Sequence, residues 1–578
     1  MLQCWSLICL RVYPDGNAKS FVFDIASLGT GDSRLKASHY PAVGALAAYT
    51  YDGYGRVTNL VYGGDTYAYT YDDNDLVLTE TDTYAGVPAR VLSYAYNDDG
   101  SWASLNISSL GLTYTYTYDN AGRLTNTAFS WGDSVSNKYQ SNNWMTAQFN
   151  NIATTFYYHN PRGWLSNFTN TYSDGTSLSF ANTFTYDAQG NILSYYQEMA
   201  AVYSLTGAAA GFKGTVTYAY DPGATNQDRL TSESDSRTAN GSSHNNLLVP
   251  YSFAHTSDAS DNLTTLRGTL LTYNDDNQLV GPTYDGQGNP TLYNWSGTNT
   301  TFAWDAEDRL ASFGTAFTAG YRPEGLRAWK QTGVASTRHY FLYDSGHTVA
   351  ELDSAGALLS AYGWGAAGLS ERYEKATNTT YAYTFDPSGN LLQRHTQNTA
   401  NGGTPIYADY STLYDGFGGQ RGAVSSRSGY ALVNQDPIGW GGQWGGYTDQ
   451  ETVAPPGAGT DPLKRFPLVL MGHRYYDPGA GRFLNRDPIG MEGGVNVYAY
   501  CRNNPIKYND ASGLQVSLDS PSATFWAALR ARDFTQAASA LSALAASAGV
   551  SNPVYNACLS AYCRCPYVFK AIEAALNF

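Results

Sequence analysis

The chain has 578 residues, with 49 tyrosines, 58 glycines, 14% charged residues and a formal net charge of -15. Aromatic residues fit half-buried pleated surfaces and glycine serves turns, so the composition is that of a strand-and-turn protein. The acidic balance argues against nucleic-acid binding by the body of the chain, which needs Lys and Arg against phosphates.

Residues 1–10 are apolar but have no preceding basic residue and no small-residue cleavage site, which makes a poor signal peptide. Residues 1–40 read as a lead-in, as if the chain began inside an array. No run of ~18 apolar residues predicts a membrane span. Six cysteines (Cys4, Cys9, Cys501, Cys558, Cys563 and Cys565) make no disulfide framework.

From residue 41 one phrase recurs. It stands as Tyr67-Ala68-Tyr69-Thr70-Tyr71-Asp72 and Tyr114-Thr115-Tyr116-Thr117-Tyr118-Asp119, and with changes as Tyr218-Ala219-Tyr220-Asp221 and Tyr381-Ala382-Tyr383-Thr384-Phe385-Asp386. Period two puts the rings on one strand face. The Asp starts a turn by accepting backbone N–H bonds, and a glycine near the turn's end supplies positive φ, as in Tyr118-Asp119-Asn120-Ala121-Gly122-Arg123-Leu124. Copies about 20 residues apart make each unit a hairpin, too small to stand alone, so the units must join edge to edge. The predicted fold is all-β: a long coiled sheet forming a hollow shell or part of one, with an exposed association edge near residue 41.

These Tyr-Asp-x-x-Gly-Arg/Asn-Leu units resemble the YD repeats of the Rhs family, found in bacterial polymorphic toxins and toxin-complex C subunits, with distant relatives in the teneurins. The resemblance spans residues 41–514, with the repeat array at 41–410. Residues 411–514 are similar to the Rhs repeat-associated core, through Gly472-His473-Arg474-Tyr475-Tyr476-Asp477-Pro478, Asn485-Arg486-Asp487-Pro488-Ile489-Gly490, Asn503-Asn504-Pro505 and Asp510-Ala511-Ser512-Gly513-Leu514. The resemblance implies a plug that cleaves the chain between Leu514 and Gln515 and frees a variable C-terminal segment inside the shell.

Residue chemistry alone permits this. Two carboxyls a few ångströms apart resist double ionisation, so Asp487 and Asp510 would share a proton, with Arg486 holding one of them ionised. Alternatively both acids only begin turns and Arg486 meets a surface acid. The resemblance implies that Asp487 and Asp510 are the catalytic pair. The family's Asp-Pro-x-Gly-Leu ending has Ala511 in place of proline here. A second phrase, Gln435-Asp436-Pro437-Ile438-Gly439-Trp440, lacks the sequel, and Asp436 reads as a turn residue. Residues 450–463 read as an inserted loop.

At Gln515 the period changes, and residues 515–578 read as a small α-helical segment. It holds none of the eight histidines, and Cys558, Cys563 and Cys565 make an incomplete zinc site, a buried trio or one disulfide. No cofactor or metal is expected. The leading expectation is a scaffold that encloses its own C-terminal segment as cargo and releases it by aspartic self-cleavage, with a shell-completing or secretion-system partner protein. The alternative is a non-catalytic structural or adhesive YD-repeat protein making carbohydrate or cell-surface contacts. Family resemblance implies secretion or display at the cell surface.

Overall fold

The computed structural model describes residues 2–518 except 6–7, 13–17, 25–33, 41–43, 141–144, 173–176, 200–201, 204–208, 222–227, 241–249, 296–297, 316, 333–336, 397–406, 426–435, 450–467 and 515–516. The helices expected beyond Gln515, the three cysteines there and the inserted loop at 450–463 lie outside the described residues. Among the described residues there is no α-helix. Strands from Leu2–Trp5 to Tyr251–Ala254 form one 23-stranded sheet, and those from Thr283–Tyr284 to Gln420–Ser425 form a 14-stranded sheet. The pairings are antiparallel, mostly between strands consecutive in the chain. Neither large sheet pairs its last described strand with its first, so neither closes on itself.

The sheet does not begin near residue 41. Arg34–Tyr40 pairs with Ala18–Asp24 on one side and with Gly44–Tyr51 on the other. The edge expected there is therefore already satisfied within the sheet.

The repeat's geometry follows from its side chains. Asp52 Oδ1 accepts the backbone N–H of Tyr54 (2.9 Å) and of Arg56 (3.0 Å), and Asp119 repeats this with Ala121 and Arg123. The carboxylate thus fastens both ends of the turn. Arg56 then bonds Asp52 Oδ2 at 2.6 Å and reaches the Asp72 carbonyl of the next turn at 2.8 Å. Arg123 and Arg229 make the same step to Gln140 and Asp258. The Arg of the motif is a staple between successive corners. Gly55 and Gly122 take φ of 89° and 76°, where a Cβ would clash.

At several corners the aromatic residue before the Asp or Asn hooks backwards. Tyr71 donates its hydroxyl to the Val57 carbonyl (2.7 Å), Tyr96 to Val77 (2.7 Å) and Tyr220 to Ile192 (2.9 Å); Trp304 does the same with its indole N–H to Pro290 (2.7 Å). At this same residue the strand register slips, between Thr70 and Tyr71, Thr117 and Tyr118, and Ala219 and Tyr220. Bulges bend a strand and add right-handed twist, so the sheet's coil has a local cause repeated once per unit.

Ring faces of the two large sheets pack on each other. Tyr67, Leu92, Leu105, Tyr114 and Val135 of the first share one core with Ala328, Leu342, Ala350 and Leu352 of the second. Tyr84 stacks on Tyr340 at 5.0 Å, and Trp131 on Tyr373 at 5.7 Å. Polar contacts cross too: Tyr84 donates to the Phe341 carbonyl (2.7 Å) and Tyr114 to that of Val349 (2.8 Å). Arg322, buried, binds both Glu80 and Asp82 of the opposite sheet.

Candidate functional site

The core block sits on the corners of the array. Its asparagines read the turns: Asn485 bonds the Asp308 carbonyl (2.8 Å), Asn496 the side chain of Asn262 (2.7 Å), Asn503 the Asp261 carbonyl (2.9 Å) and Asn504 the Asp228 carbonyl (2.6 Å). An amide offers both donor and acceptor to a corner whose backbone groups are otherwise spare. The block is thereby fixed before its own short strands, Val469–Met471, Arg474–Asp477 and Arg482–Phe483, add their few ladder bonds.

That scaffold brings Asp487 and Asp510 together around one guanidinium, and it belongs to Arg474. Arg474 Nη2 lies 2.8 Å from Asp487 Oδ2 and 3.3 Å from Asp510 Oδ2. Its Nε bonds the Gly513 carbonyl, and its Nη1 the Val497 carbonyl at 3.1 Å. The cation is buried and lies 3.6 Å from the centre of the Phe483 ring. Burial pulls the Arg474 pKa down, opposed by the two carboxylates.

Arg486 is not part of this cluster; its Nε bonds Tyr498 Oη at 3.3 Å. The expected carboxylate-holding arginine is corrected to Arg474. The residue next to Asp487 in sequence projects away from it toward the turn at Gly288, whereas Arg474 faces the acid from a neighbouring strand. Sequence did contain a signal for Arg474, its place in Gly472-His473-Arg474-Tyr475-Tyr476-Asp477, but no spacing rule links it to either acid.

Asp487 Oδ1 accepts the Ile489 N–H at 3.1 Å, which is the turn role expected of an Asp before proline. Its other oxygen carries the Arg474 contact. Burial pushes the Asp487 pKa up to about 6; Arg474 opposes this and the charge of Asp510 adds to it. A carboxyl in that range can hold or release a proton near neutrality, as general acid–base chemistry requires.

Asp510 organises the terminal turn. Its Oδ1 accepts the Leu514 N–H (3.1 Å) and the Ser512 hydroxyl (3.2 Å), while its carbonyl accepts the Gly513 N–H (3.2 Å). His473 holds the Ser512 carbonyl through its backbone N–H at 2.9 Å. These bonds fix the turn that lacks the family's proline at Ala511. Beside it Gly493 packs closely on both partners: a Cβ there would overlap Asp487 Oδ2 and stand 3.1 Å from the Leu514 carbonyl oxygen. The Asp487 carboxyl and the Leu514 carbonyl are thus neighbours on one side of Gly493. Gln515 lies outside the described residues.

Asp436 makes the same turn, accepting the Ile438 N–H at 3.0 Å, but its second oxygen is bound by Tyr383 (2.7 Å) and Arg394 (3.2 Å) of the wall. It is a turn residue tied into the wall. Among the described residues no cluster of His, Cys, Asp and Glu could hold a metal ion.

No family model matches the chain. Over 47 residues it is 47% identical to toxin subunit YenC2 of Yersinia entomophaga, covering 8% of this chain and 5% of that protein. Over 41 residues it is 56% identical to double-stranded DNA deaminase toxin A of Burkholderia cenocepacia, covering 7% and 3%. The crystal structure of TcdB2-TccC3-Cdc42 matches with a TM-score of 0.66 at 16% identity, covering 91% of this chain and 27% of that one. The chain has the fold of these toxin-complex structures. That fold also matches the Photorhabdus luminescens Tc holotoxin pore, with a TM-score of 0.60 at 16% identity over 89% of this chain and 27% of that one. The chain spans about a quarter of the solved chains and a small part of the curated relatives it matches. None of its helices among the described residues is long and apolar enough to cross a membrane.

Proposed function

We propose that this protein is a polymorphic-toxin scaffold whose residues 411–514 form a plug that cuts the chain once, between Leu514 and Gln515, to free residues 515–578 as cargo. The observation that carries this reading is the Asp487 carboxyl beside the Leu514 carbonyl, with Asp510 on the same Arg474 nitrogen. In the proposed step one carboxylate takes a proton from water as the water oxygen bonds to the Leu514 carbonyl carbon, while the other, protonated, donates to the carbonyl oxygen. The proton taken from water then passes to the Gln515 nitrogen, the C–N bond breaks, and the new carboxyl returns a proton to the second carboxylate. No cofactor is needed.

The open sheets support a partner that completes the shell, and the solved neighbours are complexes that pair TccC3 with TcdB2. Toxin relatives support export to the cell surface or beyond. The filled core between the two large sheets favours a second reading, a structural or adhesive surface protein without catalysis. Intact-mass measurement separates them. A fragment beginning at Gln515, absent from D487N, supports the scaffold reading; an intact wild-type chain supports the structural one.

A further inference from the structure

Two carbonyl oxygens flank the imidazole of His473. Nδ1 stands 2.8 Å from the Ser512 carbonyl and Nε2 stands 2.7 Å from the Glu324 carbonyl. A carbonyl oxygen only accepts, and a neutral imidazole carries one N–H. With a single proton, one nitrogen lone pair would face an oxygen lone pair at hydrogen-bond distance. Only the imidazolium, a donor at both nitrogens, satisfies this geometry.

The two carbonyls belong to different parts of the molecule. Ser512 lies in the terminal turn, two residues before the proposed scissile bond. Glu324 lies in a wall corner, at residues 322–326, closed by the Gly325 N–H to the Arg322 carbonyl at 2.9 Å. That corner is seated tightly on the ring, since a Cβ at Gly325 would overlap His473. Its Arg322 is in turn anchored on Glu80 and Asp82 of the opposite sheet.

We propose that His473 is a positioning residue for self-cleavage: as an imidazolium it pins the terminal turn to the wall, and loss of its proton releases one of the two holds. This rests on the self-cleavage reading above. The charged groups on the elements around it are Arg474 beside it, Asp510 in the terminal turn, Asp487 across Arg474, and Arg322 and Glu324 on the wall corner. The cations oppose its charge and the acids favour it. The two carbonyl acceptors favour the imidazolium, so the hold exists while both ring nitrogens carry protons and weakens when one is lost.

The test follows cleavage by intact mass after cell-free synthesis and transfer to buffers from pH 5 to 8.5, in wild type and H473Q. Above neutrality the wild-type rate is expected to fall more steeply than the loss of a single proton gives, as the carboxyl pair and His473 lose theirs. H473Q is expected to be at least tenfold slower at pH 6 and to fall only about tenfold per pH unit. Superimposable profiles would overturn the role of His473.

A second measurement does not depend on cleavage. In the uncut D487N chain, ring-labelled histidine is observed by NMR and His473 is assigned by its loss in D487N/H473Q. Both ring nitrogens protonated at pH 6 are expected; a neutral single tautomer there overturns the proposal even if the wild type cleaves. If the imidazolium is present and wild type stays intact at every pH, the cleavage reading fails, and the positioning role fails with it.

Discussion

Asp487 and Asp510, separated in the chain by two short 3-10 helices and the strand Tyr508–Asn509, meet on one nitrogen of Arg474, at 2.8 and 3.3 Å. A cation between two buried acids lets them approach without both having to be protonated. It also makes the site dependent on that cation, because removing it leaves like charges facing each other in a dry setting.

Replacing Arg474 with Met should therefore cost stability as well as cleavage. Breaking a buried pair from one side typically costs about 3–5 kcal/mol. R474K should keep the charge but lose the hold on the Gly513 carbonyl, since lysine has no second fork nitrogen. Urea unfolding and intact mass together check this: R474M less stable and uncut, R474K close to wild type in stability and at least tenfold slower in cleavage.

The pH dependence has a definite sign. Asp487 in the folded protein keeps its proton up to about pH 6, above the ordinary carboxyl value, chiefly because it is buried. Its ionised form costs stability, a cost fully present above about pH 6 and relieved as pH falls toward 4. Cleavage needs that proton, so the rate should rise by about tenfold or more from pH 8 to pH 6. A rate that climbs steadily with pH would contradict the assignment.

Arg322 gives a matching test in the wall. Burial raises the carboxyls of both Glu80 and Asp82, with Arg322 the main opposing charge. R322M leaves two acids facing each other, and their joint penalty is present at high pH, where both would ionise, and relieved where they hold protons. The variant should lose about 3–5 kcal/mol at pH 8.5 and clearly less at pH 5. Denaturant midpoints at the two pH values measure this. An equal loss at both would mean that packing, not charge, sets the cost.

Two tyrosine hydroxyls should differ in weight. Tyr84 is fully buried and donates to the Phe341 carbonyl of the opposite sheet, so Y84F strands a buried acceptor and should cost about 1–3 kcal/mol. Tyr71, half-buried, hooks the Val57 carbonyl within its own sheet, where water can substitute; Y71F should cost about 1 kcal/mol or less. Urea unfolding of the two variants checks the order.

Much of this molecule was legible in its sequence because its rules are local. The alternation in Tyr67-Ala68-Tyr69-Thr70-Tyr71, the Asp at each corner and the glycine after it each act within a few residues, so the hairpins could be read directly. The hook from Tyr71 to Val57 and the staple from Arg56 to the Asp72 carbonyl span one repeat, and no single turn discloses them. The packing of Tyr114 on the second sheet and the meeting of Arg474 with Asp487 depend on how distant segments coil together. Adjacency suggested Arg486 for the acid, but in this irregular segment Arg486 turns to Tyr498 and the Gly288 corner, and Arg474 reaches the acid from the strand Arg474–Asp477.

Gly493 offers the narrowest test of the site. Its φ of -74° and ψ of -16° suit any residue, so alanine there incurs no backbone strain. The added methyl would instead overlap Asp487 Oδ2 beside the Leu514 carbonyl and push the carboxyl from its place. As the proton donor to that carbonyl, Asp487 must keep that place. G493A should therefore lose about 1–3 kcal/mol in urea unfolding, while cleavage falls about a hundredfold. Serine, barely larger, should behave alike. If G493A cuts at the wild-type rate, Asp487 does not act on the bond from this face.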